Sequence, residues 1–236
     1  MSADRKVVVV TGASRGLGEA TVNAYRKRNY RVVGTARSIA SSADPDYLTI
    51  SGDISDPKTG KRVIDAALER FGRVDTLINN AGIFIPGPFH KYTEQNYKDV
   101  LATNLAGFFF ITQRAIEAML KQGSGHIVQI TTTLVEYANS NVPAVLASLT
   151  KGGLAAATRG LAIEYASHGI RVNAVAPGMM KTPLHAPETH EAVASLHPLK
   201  RMGEPEDIAQ AILYLEDASF VTGETIHVDG GQIAGH

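Results

Sequence analysis

Thr11-Gly12-Ala13-Ser14-Arg15-Gly16-Leu17-Gly18 is the stretch of this 236-residue chain whose residue types and spacing point most directly to chemistry. It lies between an apolar run that reads as a strand and a segment that reads as a helix, and in that context a glycine pattern becomes a candidate dinucleotide-binding turn. Gly12 can take the tight turn, Gly16 lets the backbone approach a pyrophosphate, and Gly18 lets the helix pack close to the strand. The free N–H groups of the helix N-terminus, with Ser14, Arg15 and Leu17 around them, face the anion. The spacing differs from the usual G-x-G-x-x-G, and the bland alternative is an ordinary strand-to-helix turn with incidental glycines.

The end of the second predicted strand selects the dinucleotide. Sites for NAD place an acidic residue there to accept from the ribose 2′-hydroxyl, whereas this chain has Thr35-Ala36-Arg37-Ser38. Arg37 and Arg15 can bracket a 2′-phosphate instead, because guanidinium offers planar, charge-assisted donors to phosphate oxygens. This reading favours NADP(H) over NAD(H); the alternative is that both arginines are solvated surface charges.

With these motifs in view, the chain resembles the short-chain dehydrogenase/reductase family, whose glycine turn has the form T-G-x-x-x-G-x-G. The resemblance runs nearly end to end. Gly52-Asp53-Ile54-Ser55 matches the segment whose aspartate meets the adenine, and Asn79-Asn80-Ala81-Gly82 matches the N-N-A-G run that lies along the cofactor. Asn104 in Thr103-Asn104-Leu105-Ala106-Gly107 matches the family's helix asparagine. Pro177-Gly178 with Thr182 matches the P-G-x-x-x-T segment near the nicotinamide amide, and Val228-Asp229-Gly230-Gly231 matches the C-terminal signature.

The resemblance implies a catalytic set and also a missing member. The family's tyrosine and lysine lie four residues apart on a helix, Y-x-x-x-K, a spacing that puts both on one face. The lysine is Lys151, and four residues before it stands Ala147, so the phenol that would give or take the substrate proton is absent. A tyrosine of ordinary pKa serves there only because a neighbouring ammonium favours its phenolate; alanine does not titrate. By the resemblance Lys151 holds the nicotinamide ribose, Asn104 supports the helix and a water near the lysine, and Thr132 takes the serine position that polarises the substrate carbonyl. Thr133 is a weaker claimant. Thr132 precedes Ala147 by 15 residues, against 13 in the family, so the loop between them is longer. That loop holds Tyr137, which is either a substitute phenol or, the reading we prefer, an ordinary loop aromatic.

His185, His190 and His197 follow Pro177-Gly178 at spacings of five and seven residues, which do not align them as metal ligands on one helical turn. We read them as surface histidines rather than as an acid or base. The chain has no cysteine, which excludes disulfides, thiolate catalysis and cysteine-ligated metal. No metal site is expected. The leading function is hydride transfer between NADP(H) and a small carbonyl or alcohol, with Lys151, Thr132 and water as the proton path. A dinucleotide-binding sensor or scaffold without redox turnover is the alternative, and fold alone leaves dehydration or isomerisation open.

The elements that must position these residues alternate. A Val7–Val10 strand, a helix from about Gly16 to Asn29 and a strand Arg31–Thr35 are followed by a strand Tyr47–Ser51, a helix Pro57–Phe71 and a strand Thr76–Asn79. A long helix near Thr93–Lys121, a strand Gly125–Thr131, a helix near Ala144–Ser167, a strand Ile170–Ala176, a helix from Pro205 to about Leu215 and a strand Thr225–Val228 complete the chain. Such alternation predicts an α/β fold: a Rossmann-type doubly wound parallel sheet in three αβα layers, one domain over residues 1–236. Lys plus Arg and Asp plus Glu both number 23, so no basic field exists to hold nucleic acid. The run after Met1-Ser2-Ala3-Asp4 is too short for a signal segment or a bilayer span, which predicts a cytoplasmic protein off the membrane. From Leu101 to Leu120 apolar residues surround the helix, Phe108, Phe109 and Phe110 among them, and the Ala144–Ser167 helix is rich in small residues. In the family these helices form a two-fold interface, which implies a homo-oligomer: a dimer at least, and a tetramer by preference.

Overall fold

Val7 to Val10 are fully buried, as an uninterrupted β-branched run must be when helices cover both faces of a strand. In the computed structural model, which describes residues 5–235, they form the central strand β1 (Val7–Thr11). Val7 and Val9 pack into one helical layer and Val8 and Val10 into the other, the alternation that an extended backbone dictates. The expectation placed on Met1-Ser2-Ala3-Asp4 lies outside the described residues.

Around β1 stand α1 (Gly16–Lys27), β2 (Arg31–Ala36), β3 (Tyr47–Ser51), α2 (Pro57–Phe71), β4 (Thr76–Asn79), α3 (Glu94–Leu101) and α4 (Gly107–Gln122). β5 (Gly125–Ile130), α5 (Val145–Tyr165), β6 (Ile170–Pro177), α6 (His190–Ala194), α7 (Pro205–Asp217) and β7 (Thr225–Val228) follow. The sheet is seven-stranded in the order β3-β2-β1-β4-β5-β6-β7, and its pairs are parallel. The order turns back between β1 and β4, where Val8 faces Val32 on one side and Thr76 on the other. A crevice opens at the carboxyl ends of the strands at such a switch point. One layer joins α1 and α7 through Val22, Tyr25, Ile208 and Ile212. The other joins α2, α4 and α5 through Val63, Ile111 and Ala162.

Local signals set the boundaries. Asp56 caps α2 by accepting from the Lys58 N–H, Pro57 begins it, and Gly72 ends it in the left-handed region. Thr93 and Asn96 form a capping box at the start of α3. The long helix foreseen over Thr93–Lys121 is not a single α-helix: a π-helical turn, Ala102–Ala106, separates α3 from α4. Its cause is tertiary. Asn104 turns inward there, where its side chain accepts from the Ile83 N–H at 2.9 Å and donates to the Ile83 carbonyl at 3.1 Å and to Thr150 at 3.2 Å. The short α6 falls in a stretch the sequence reading left without an element. Among the described residues no helix is long and apolar enough to cross a membrane.

Candidate active site

A cleft of ≈ 820 Å³ runs along the carboxyl ends of the central strands, from the glycine turn to Lys151. Gly12, Ser14, Arg15, Gly16 and Leu17 form one wall. Gly12 (φ 67°) and Gly16 (φ 57°) both occupy the left-handed region that glycine enters without a Cβ penalty. Gly18 stands behind the wall: a Cβ there would lie 2.1 Å from the Gly12 carbonyl oxygen, so its part is close packing of α1 on β1. Thr11 and Asn80 tie the turn to the end of β4. The Thr11 hydroxyl accepts from the N–H groups of Asn80 (3.0 Å) and Ala81 (2.9 Å), and Asn80 Nδ2 donates to the carbonyls of Thr11 (2.9 Å) and Gly12 (3.2 Å). The glycine pattern gives no role to the Thr11 side chain, whose hydroxyl is central to this knot.

Arg37 and Asp53 line the far end of the cleft with Ile54. Backbone and hydroxyl donors of Ser55, at 2.9 and 2.8 Å, and the nearby Arg37 hold the Asp53 carboxyl below its ordinary range, against a smaller effect of burial. Asp53 is the one carboxylate among the described lining residues. The Arg15 and Arg37 guanidinium groups are exposed and make no hydrogen bond or ion pair among the described residues, which leaves their donors directed to whatever enters. Uncapped amides at the start of α1, glycines too crowded or too twisted for side chains, and two unpaired cations together fit a phosphorylated dinucleotide.

At the other end stand Lys151, Ala147, Thr132, Ala81 and Gly82, with Pro177, Gly178 and Thr182 opposite. Lys151 Nζ donates to the Ile130 carbonyl at 2.6 Å. Burial without a carboxylate partner lowers its pKa to about 8. Asn104 is buried behind the lysine and does not line the cleft; Gly82 bridges the two, since a Cβ on it would meet Asn104 Oδ1 and Lys151 Nζ at 3.2 Å each. Thr132 is half-buried, and its hydroxyl accepts from the Leu134 N–H at 3.3 Å. Thr133 is buried and its hydroxyl donates to the Pro177 carbonyl at 3.3 Å, so of the two threonines Thr132 keeps the freer hydroxyl. Ala147, 3% exposed, packs with Leu134, Ala144 and Phe84. Tyr137 is not among the lining residues.

The reading of His197 as a surface residue is corrected, and His185 belongs to the cleft rather than to the open surface. His185 is half-buried and lines the cleft, with its pKa lowered by burial and by His190. His197 is 1% exposed. His197 sits against Gly178, Met179 and Gly230, residues distant in sequence that its spacing from the other histidines does not reveal. Other lining residues that went unnamed are apolar: Ile83, Phe84, Leu134, Met179 and Leu184. They make the lysine end of the cleft the less polar one. Among the described residues no group of three or more His, Cys, Asp or Glu side chains is arranged to hold a metal ion.

Comparison with known proteins agrees with this geometry. The family model described as enoyl-(acyl carrier protein) reductase matches residues 12–232. The 3-oxoacyl-[acyl-carrier-protein] reductase FabG of Vibrio cholerae is 34% identical over 98% of both chains. A solved structure of ElxO with NADP bound superposes with a TM-score of 0.91 at 30% identity, covering 98% of this chain and 100% of that one. The structure of a Tyr-to-Phe variant of ElxO with NADPH bound gives the same TM-score, identity and coverage.

Proposed function

The chain belongs to the short-chain dehydrogenase/reductase family, and from that premise we propose that its cleft binds NADP(H) and serves an oxidoreductase acting on a small carbonyl or alcohol. The observation that carries this reading is the continuity of the cleft from the glycine turn through Arg37 and Asp53 to Lys151 and Thr132. The relative ElxO, similar over its whole length, is known with NADP bound. When bound, the nicotinamide supplies or accepts the hydride.

The chain's own residues then bind and orient. The α1 amides and Gly12 and Gly16 take the pyrophosphate, Arg15 and Arg37 take the 2′-phosphate, and Asp53 with Ile54 takes the adenine. Asn80, Ala81 and Gly82 form the floor, Lys151 holds the nicotinamide ribose, and Pro177, Gly178 and Thr182 face the nicotinamide amide. Thr132 donates its hydroxyl to the substrate oxygen and stabilises charge as it develops there. With Ala147 in place of the family tyrosine, protons reach the substrate oxygen by way of Lys151 and water, with Asn104 holding the helix turn behind. The apolar residues around Ala147 favour a substrate with a hydrocarbon face. Titration with NADPH and NADH tests the cofactor: tighter NADPH binding that Arg37→Ala abolishes is expected, and equal affinities sink the reading.

A second reading is a dinucleotide-binding protein without redox turnover. Ala147 is the observation that favours it, since the residues that would hold the dinucleotide do not include the missing phenol. Tight NADPH binding with no oxidation across a panel of aldehydes, ketones, quinones and keto-esters selects this reading. We further propose assembly into a homodimer or homotetramer through α4 and α5, and a cytoplasmic location.

A further inference from the structure

His197 lies outside the cleft, wedged between two glycines from different elements. A Cβ on Gly178, just after β6, would meet Gln232 Oε1 at 2.7 Å, Asp229 Cα at 2.8 Å and His197 Nε2 at 2.9 Å. A Cβ on Gly230, in the turn after β7, would meet His197 Cβ at 3.2 Å and Cδ2 at 3.3 Å. The ring therefore fills a slot that both glycines leave open. Its Nε2 accepts the Met179 N–H at 3.0 Å, and Met179 lines the cleft next to Gly178. A neutral imidazole that accepts at Nε2 carries its proton on Nδ1; Nδ1 is buried and makes no well-formed hydrogen bond, with the carbonyls of Ala194 and Val193 the backbone acceptors near the ring. The β7 turn closes on the same segment, since Gly178 N–H donates to the Val228 carbonyl at 3.0 Å.

We propose that His197 is a positioning residue for the nicotinamide end of the cleft: as a neutral acceptor it fixes the Met179 amide and with it the Pro177-Gly178-Met179 backbone, and protonation of its ring releases that backbone. The proposal rests on the NADP(H) reading above. The chemistry is local. A proton on Nε2 sets two N–H groups against each other, so the charged ring loses the Met179 bond and the segment loses its fixed place. Burial holds the ring's pKa below the ordinary histidine value; carbonyls of Ala194 and Val193 and the charge of Asp229 oppose that shift, and Arg201 adds to it. The charged and titratable groups facing this slot are Asp229 after β7, Arg201 before α7 with its ion-pair partner Asp207, and His227 on β7. Release therefore belongs to acid conditions below the usual histidine range.

The test compares NADP⁺ with adenosine 2′,5′-bisphosphate, which has the adenosine half and the 2′-phosphate but no nicotinamide. His197→Leu is expected to weaken NADP⁺ roughly tenfold while the bisphosphate changes by less than about twofold. His197→Gln, whose amide oxygen can replace Nε2, is expected to bind both like the parent. On acidification the parent should lose NADP⁺ affinity relative to the bisphosphate, and the Gln variant should not. Hydrogen exchange at the Met179 amide, which needs no ligand, should be slow in the parent and in the Gln variant and fast in the Leu variant. Failure of both ligands to bind the parent overturns the cofactor reading and this inference with it. If both bind, an unchanged ratio in the Leu variant, or equal acid sensitivity of parent and Gln variant, overturns the role of His197 alone. Should the Leu variant not fold, the acid titrations of parent and Gln variant still decide.

Discussion

Lys151 is held in a buried place that offers its charge little compensation from the chain itself. Its ammonium has one carbonyl partner and a pKa lowered to about 8 by burial. The unfolded chain keeps the ordinary value, so between about pH 8 and 10.5 it binds the proton that the folded chain has released, and stability rises with pH across that window. Below it both states are charged and the folded state carries the desolvation cost. Lys151→Met is therefore expected to stabilise the ligand-free protein at neutral pH by about 1–2 kcal/mol and to flatten the rise, as read by chemical denaturation at several pH values. The same variant should lose the stabilisation that NADPH confers on the parent. Four residues earlier, Ala147→Tyr places a phenol within reach of Lys151 and Thr132 on the cleft side of α5. We expect it to raise the rate on a small ketone by about 10²-fold, followed by NADPH absorbance; a folded, NADPH-binding variant no faster than the parent would show that the longer Thr132–Ala147 loop has moved the hydroxyl away. That both residues face one side of α5 was legible in the sequence, because a four-residue helical spacing is a local rule, and both line the cleft. The burial of His197 was not legible, because Gly178, Met179 and Gly230, which pack against it, come from segments far along the chain.

Elements, not single residues, carry the reading from sequence to sheet. Apolar runs bounded by glycine, proline and asparagine fixed β4, α2 and β7 to the residue, since each has its punctuation beside it. The π-helical turn at Asn104 escaped because it sits inside a continuous helical pattern and is drawn inward by bonds to Ile83 and Thr150. The hold of α7 on the sheet was equally invisible. Glu216, near its C-terminal end, accepts from Tyr25 (3.1 Å) of α1, Tyr30 (3.0 Å), Thr76 (2.8 Å) of β4 and His126 Nδ1 (3.0 Å) of β5. Asn173 fixes the tautomer of His126: its Oδ1 accepts from the Glu224 N–H and its Nδ2 donates to the Val221 carbonyl, so the other Nδ2 hydrogen points to His126 Nε2. Burial lowers the pKa of that imidazole, against the Glu216 carboxylate that raises it. Burial also opposes the charge on Glu216, but the donors from His126 and Thr76 and the nearby Lys6 outweigh it and bring the carboxyl down to about 2. A depressed carboxyl stabilises the fold above its unfolded value and loses that contribution as pH falls from about 4.5 to about 2. Glu216→Gln is expected to flatten acid unfolding in that range, a contribution on the order of 3 kcal/mol. Glu216→Leu, which orphans three hydroxyls and an imidazole, should destabilise the protein by roughly 3–5 kcal/mol at neutral pH. Urea denaturation at pH 7 and pH 3 separates the two effects.

At the scale of the whole molecule, the proposed assembly rests on the apolar surface that α4 and α5 present away from the sheet. Phe109 on α4 is 54% exposed, and on α5 Val145, Leu149 and Ile163 are 51%, 58% and 81% exposed. The α5 residues share a face, since steps of four and of fourteen residues return to nearly the same side of an α-helix. Gly160 lies between Leu149 and Ile163, and a Cβ there would meet nothing within 4 Å. Small residues of that kind let a second helix approach closely. A stripe of large apolar side chains around a small-residue gap is the kind of patch that the proposed assembly would cover. A two-fold arrangement would place α4 and α5 of one copy against those of another as a self-complementary four-helix contact. Phe220 and Tyr214, at 103% and 57% exposed, form the second surface through which the proposed dimers would pair into a tetramer. Sedimentation at micromolar concentration is expected to give a dimer or tetramer, and a single 25.1 kDa species rules the assembly out. Phe109→Glu and Ile163→Glu place a charge in the first surface and should dissociate the protein to monomers, whereas Phe220→Glu should stop at the dimer. Because Ala147 and Lys151 lie on the inner side of α5, loss of the first contact is expected to lower NADPH affinity as well, while the Phe220→Glu dimer keeps it.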